Sequence, residues 1–150
     1  MRVSIRRAES VTLAAHRGAI RRAQLGPLLR RSGDQLGVAA RASLVVRLTG
    51  DEELRALNAR FLGGDTPTDV LAFPADERGR VGDIAISVER AVEQDQDGGD
   101  GAAELRLLAV HGLLHCLGHD HGEATGAAAM TVATRALLPD QQVFDLVPAS

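Results

Sequence analysis

"ASLVVRLTGDEELRALNARF", residues 42–61, changes character in its middle. Residues 42–49 are rich in β-branched side chains and read as a strand. Gly50 leads into residues 51–61, where Asp51, Glu52 and Glu53 suit a helix N-terminus, the end whose dipole favours negative charge. The same alternation extends outward. Upstream, Val3 and Ile5 alternate with Arg2, Ser4 and Arg6, which predicts an opening strand over residues 1–6. Residues 13–31 hold Leu13, Ile20, Leu25 and Leu28 among arginines and read as helix, divided in two at Gly26–Pro27, with "RSGDQLG", residues 31–37, as the connection. Downstream, "TDVLAFP" (68–74) and "VGDIAISV" (81–88) read as a strand hairpin joined by the polar turn "ADERGR" (75–80), and "EQDQDGGDGA" (93–102) as a turn-rich loop. A helix over residues 102–117 follows, capped by Asp100 or Gly101, with Glu104 placed for a capping box in the second case. A last helix around residues 126–138 contains Met130 and ends before Pro139. Helices interleaved with strands argue for an α+β or α/β domain. The expectation is α+β: a single domain over residues 1–150, with a small mixed β-sheet flanked by helices.

With 150 residues, 45% of them hydrophobic, the chain is long enough for one domain with a real core. No run of 18 apolar residues suggests a membrane span, and arginines interrupt the apolar residues of the first 20 positions, so neither a membrane nor a signal peptide is expected. The expected location is the cytoplasm. The single cysteine, Cys116, excludes an internal disulfide and reads as a small buried filler rather than a ligand or nucleophile. The net charge of −3 hides an asymmetry. Residues 1–47 hold ten arginines against Glu9 and Asp34, a balance of +8, and the remainder of the chain stands at −11. All 17 basic residues are arginine, which forks onto phosphate oxygens; the cluster permits a polyanionic partner and equally fits a solvated face.

Four of the five histidines fall within "HGLLHCLGHDH", residues 111–121. On a helix, His111 and His115 lie one turn apart on one side and can point at one spot. Gly118, three residues on, suits a left-handed helix end that turns the chain back, so that His121 can return to the same spot. This H-x-x-x-H-x-x-G-x-x-H spacing is that of the metzincin zinc signature, and three imidazoles plus an open position describe a catalytic zinc site. Leu107, Val110, Leu114 and Leu117 are expected to anchor the other side of the helix in the core. Gly112 stands where zinc peptidases carry their glutamate base, which counts against peptide hydrolysis. A closed, purely structural zinc needs a fourth protein ligand, for which His119, Asp120 or Glu123 are available.

Two stretches together resemble the YbeY family of bacterial rRNA maturation factors. "HGLLHCLGHDH" is similar to the family's H-G-x-L-H-L-x-G-Y-D-H signature; "PTDVLAFP" (67–74) and "VGDIAIS" (81–87) are similar to its P-T-D-V-L-S-F and L-G-D-I segments. The likeness covers residues 52–135, including "LNARF" (57–61) and Met130, while the first 47 residues agree only in general plan. The resemblance implies a metal-dependent endoribonuclease of the cytoplasm, acting on single-stranded RNA in 16S rRNA 3′ end maturation and ribosome quality control, with the small ribosomal subunit as partner. It implies one zinc ion per chain on His111, His115 and His121, in a cleft beside a basic surface. Where the family usually has an arginine after its aromatic, this chain has Leu62; Arg60 is the nearest substitute, with Arg47 and the N-terminal arginines behind it. His119 and Cys116 replace the family's tyrosine and second leucine, and Ala72 its serine.

A catalytic zinc lowers the pKa of water to about 7 and stabilises phosphate charge in a transition state, which suits phosphodiester cleavage. Attack by water and attack by the ribose 2′-hydroxyl both fit. Gly112 cannot serve as general base; Asp120 is the first candidate on position, ahead of Glu123 and Asp69, and its other role is to orient a ligand histidine. The rival functions are a ribosome-associated protein with a structural zinc and, at a greater distance, a zinc peptidase.

Overall fold

The computed structural model describes residues 1–64, 68–75, 77–95, 99–120 and 122–146, with backbone alone at residues 11 and 12. Among them are four strands, β1 (Arg2–Arg7), β2 (Ser43–Thr49), β3 (Val70–Pro74) and β4 (Arg80–Ser87). The helices are α1 (Val11–Ala15), α2 (Arg17–Ala23), α3 (Leu25–Gln35), α4 (Asp51–Leu62), α5 (Val88–Gln94), α6 (Ala102–Cys116) and α7 (Ala124–Leu137). The strands form one sheet in the order β1-β2-β4-β3. β1 and β4 run parallel to β2, and β3 pairs antiparallel with β4, so the sheet is mixed, as expected.

Register assigns the faces. Leu44, Val46 and Leu48 of β2, fully buried, share a face with Ile84 and Ile86 of β4. α6 lies on this face, with α2, α3 and α7 packed around it. The other face is half covered. There Leu54 and Leu57 of α4 pack on Leu71, Phe73 and Ala85, over the β3–β4 side only. Over β1–β2 the same face carries exposed Arg2, Ser4 and Arg6 and half-buried Val45 and Arg47.

The predicted strands, hairpin and long helices stand, with four corrections. The first helical stretch breaks twice, at His16 and at Gln24, and not at Gly26–Pro27: Gln24 is left-handed (φ 47°), and Pro27 sits in the first turn of α3, where its missing N–H costs nothing. Residues 31–35, expected as a connection, continue α3, because Ser32 and Gly33 are buried in its packed side and Met1 leaves no room for a Cβ at Gly33. Val88 opens a helix rather than closing a strand, and α5 occupies the start of the expected loop; the hydroxyl of Ser87 caps it by accepting from the Arg90 N–H. Leu117 is exposed rather than core, while α6 buries Leu105, Leu108, Ala109, Val110, Leu113 and Leu114 around most of its circumference. Positions 76 of the hairpin turn and 96–98 of the loop lie outside the described residues.

Candidate metal centre

α6 begins at Gly101, left-handed with φ 97°, a conformation that glycine adopts without strain. Asp95 accepts the Gly101 N–H (2.9 Å) and Asp100 the Ala102 N–H (3.0 Å), so neighbouring carboxylates satisfy the first orphan donors. Both expected cap residues therefore take part, without the capping box: Gly101 has no side chain to complete one, and Glu104 is engaged elsewhere. Burial, with Asp69 and then Asp95 facing it, pushes the Glu104 carboxyl up to about 7. With its amide nitrogen turned toward them, Gln94 bridges Asp69 (3.1 Å) and Glu104 (3.2 Å).

His111 and His115 lie seven and eleven residues beyond Glu104. At 100° per residue, all three fall within about 20° of one helix side. This stripe begins at Asp69, just ahead of β3. Near the end of α6, Cys116 packs at Gly82 beside the Phe73 backbone. α6 therefore runs alongside β3 from Asp69 to Phe73, with the histidine pair on that side. Cys116 is half-buried; burial, with Asp83 adding to it, pushes its thiol up to about 11, in keeping with a filler rather than a nucleophile.

The helix ends as the glycine predicted. Gly118 is left-handed (φ 99°), its N–H reaches the His115 carbonyl (3.0 Å), and the His119 N–H reaches the Leu114 carbonyl (2.9 Å), a Schellman pair. The turn carries the His119 carbonyl to within 2.9 Å of His115 Nδ1. A carbonyl only accepts, so Nδ1 carries the proton, and in the neutral ring the lone pair stands on Nε2. This is the tautomer and the backbone anchor of a metal-ligating histidine.

His121 lies outside the described residues, but the positions on either side of it are fixed. Asp120 is exposed and accepts the Gly122 N–H (3.1 Å), a turn-forming bond. A Cβ at Gly126 in the first turn of α7 would overlap the Asp120 carbonyl, so α7 backs directly against this turn. The donor chemistry on α6, two imidazoles on one side with one ring held by the backbone, fits a borderline-soft divalent ion such as zinc. Among the described residues alone, no three His, Cys, Asp or Glu side chains form a metal cluster.

Gly112 acquires a physical reason. A Cβ there would stand 2.6 Å from Ile84 Cγ2, so this position faces the sheet and excludes the glutamate of a peptidase. Glu123 is exposed at the N-cap of α7. Asp69 lies beside Glu104 near the start of α6, and Thr68 donates to the Val70 carbonyl (3.2 Å). Arg60 lies over the Phe61 ring, 5.0 Å from its centroid, and Leu62 is exposed at the end of α4. Arg47 is paired with Glu53. The Glu104–Asp69–Asp95 group was not legible in sequence, since it joins three separate segments.

The fold and the histidine stripe define a class: small α+β proteins that present two histidines from a central helix closed by a glycine turn. The family model for Endoribonuclease YbeY matches residues 17–142, and the chain belongs to the YbeY endoribonuclease family. It is 40% identical over 128 residues to Endoribonuclease YbeY of Moorella thermoacetica, a match spanning 76% of this chain and 82% of the relative. Against the namesake protein of Chelativorans sp. it is 38% identical over 137 residues, 86% of this chain and 81% of the relative. The solution structure of TM1509 from Thermotoga maritima shares the fold, with TM-score 0.54 and 24% identity, covering 91% of this chain and 86% of that one. No helix among the described residues is long and apolar enough to cross a membrane.

Proposed function

We propose that the chain is a zinc-dependent endoribonuclease that cuts single-stranded RNA, acting in the cytoplasm on the small ribosomal subunit in 16S rRNA 3′ end maturation and quality control. One observation supports the reading: in a chain of this family, His115 shares a helix side with His111 and has its Nδ1 proton bound by the His119 carbonyl, which places the lone pair of the neutral ring on Nε2. His111, His115 and His121 hold one zinc ion per chain. When bound, the metal supplies Lewis acidity toward phosphate oxygens and a lowered pKa for water. Gly118 turns the chain so that position 121 follows the two helical ligands. Asp120 shapes that turn through its bond to Gly122 and is the first candidate for general base. Arg60 and the basic N-terminal region supply phosphate contacts.

The test compares wild type with His111→Ala on single-stranded RNA, with zinc content measured on the same samples. Loss of both zinc and cleavage, with the fold retained by circular dichroism, supports the reading. Cleavage that survives zinc loss overturns it, and a fourth protein ligand at the zinc in a metal-loaded structure favours the structural-zinc, ribosome-binding alternative.

A further inference from the structure

The chain has no tryptophan or tyrosine and only three phenylalanines, and two of these meet on the face of the sheet opposite α6. Phe61, 56% exposed, stands edge-on to Phe73, with ring centroids 5.8 Å apart and planes at 75°. The Arg60 guanidinium lies over the Phe61 ring. Leu57 and Phe73 continue this surface into a depression of about 240 Å³, whose charged lining is Arg6, Arg47 and Asp83, the last held by Arg80 (2.9 Å). Arg6 and Arg47 are register partners on β1 and β2. Arg47 is neutralised by Glu53, whereas Arg6 is exposed and in no ion pair among the described residues.

An exposed ring, the Arg60 guanidinium and the exposed Arg6 beside an apolar floor form a surface complementary to a nucleobase attached to phosphates. Its place relative to the histidines is fixed by β3, an edge strand of the sheet. The histidine stripe runs along the α6 side of β3, and the Phe73 ring projects from the other side of the same strand. A polynucleotide passing over this one strand reaches both.

We infer that the Phe61–Phe73 surface stacks a base of single-stranded RNA that crosses β3 from the metal centre, with Arg60 and Arg6 taking its phosphates. This assignment rests on the RNA-cleaving reading above and adds a subsite to it. Phe61 acts by binding, so its removal weakens RNA affinity rather than the chemical step.

The test uses the zinc-loaded full chain and a fluorescein-labelled, cleavage-resistant 2′-O-methyl oligouridylate, read by anisotropy. Phe61→Ala is expected to weaken binding about tenfold, in line with the loss of one base stack. Phe61→Tyr, which keeps the ring, restores it, and Phe144→Ala, the third and also exposed phenylalanine, leaves it unchanged. Unchanged binding in Phe61→Ala overturns the assignment even where RNA cleavage is intact. Weakened binding in a chain that cuts no RNA upholds the surface while the nuclease reading falls. A wild-type dimer in sedimentation velocity that Phe61→Ala converts to monomer, with RNA affinity unaltered, makes the surface a self-association patch and also overturns it.

Discussion

The two ends of α6 place titratable groups on the same helix side and treat them in opposite ways. At the N-terminal end Glu104 faces Asp69 and Asp95, and burial among like charges holds its proton up to about pH 7. At the C-terminal end a backbone carbonyl fixes the proton of His115 on Nδ1 and so places the lone pair of the neutral ring on Nε2. The first end shifts an equilibrium through desolvation, and the second selects a tautomer through geometry. A rigid helix can do both because nearly every other side of it is packed in the core.

That packing is the part most easily broken. Gly112→Glu, which would restore a peptidase-like sequence, drives a side chain into Ile84 and buries a charge, so we expect a loss of about 3–5 kcal/mol in urea denaturation and no peptidase activity. A folded, zinc-binding Gly112→Glu protein would show that the helix does not need its close approach to β4.

Gly118→Ala probes the C-terminal end. The left-handed backbone makes the substitution cost about 1–2 kcal/mol, and zinc affinity, measured by chelator competition, falls with it. Lost stability with unchanged affinity would separate the turn from the proposed zinc site.

Glu104→Gln probes the other end. Because the folded pKa of Glu104, about 7, lies above its unfolded value near 4.5, the folded state keeps a proton that the unfolded chain releases. Stability from this group is full below pH 4.5 and declines as pH rises to 7. Glu104→Gln should flatten that decline and gain about 1 kcal/mol at pH 8, the figure reduced for solvent screening of a half-buried carboxyl. Parallel pH profiles for the two proteins would mean that Glu104 titrates as an ordinary surface acid.

The smallest effect belongs to the turn that follows α6. Asp120→Ala removes the bond to Gly122 and is expected to cost about 0.5–1 kcal/mol, whereas Asp120→Asn keeps an acceptor oxygen in place. If Asp120 only shapes the turn, the asparagine variant retains RNA cleavage; abolished cleavage would identify it as a base.

The C-terminal end of α6 could be read from sequence because everything it uses is local: two histidines four apart, a glycine three further on, and bonds that span at most five residues. The N-terminal end could not, because Glu104 owes its environment to Asp69 and Asp95 on other segments, and periodicity carries no information on what faces what. The same distinction explains the corrections. Val81–Ser87 read as strand from its own residues, but the switch to helix at Val88 depends on the Ser87 cap and is masked by the polar run after it. Pro27 misled because a proline that breaks a helix interior is harmless in a first turn, and the break fell at Gln24, whose type gives no warning of a positive φ. Leu117 looked like core by spacing, but the Schellman turn swings it outward. Only the β3–β4 hairpin of the strand order β1-β2-β4-β3 is local; the β1–β2 and β2–β4 pairings cross dozens of residues, and no short pattern contains them.

Among the described residues β1 and β3 are the outer strands of the sheet, and each leaves one side of its backbone without a partner strand. A free edge of this kind can template the addition of strands from other molecules, the first step of aggregation. Arg2, Arg6 and Arg7 place three exposed guanidinium groups along β1, so a second copy approaching that edge meets like charge. β3 is guarded differently: it is only five residues long and ends at Pro74, which has no N–H to offer. The arginine-rich opening strand thus also acts as a barrier to intermolecular sheet growth, and neutralising it should cost solubility before it costs the fold.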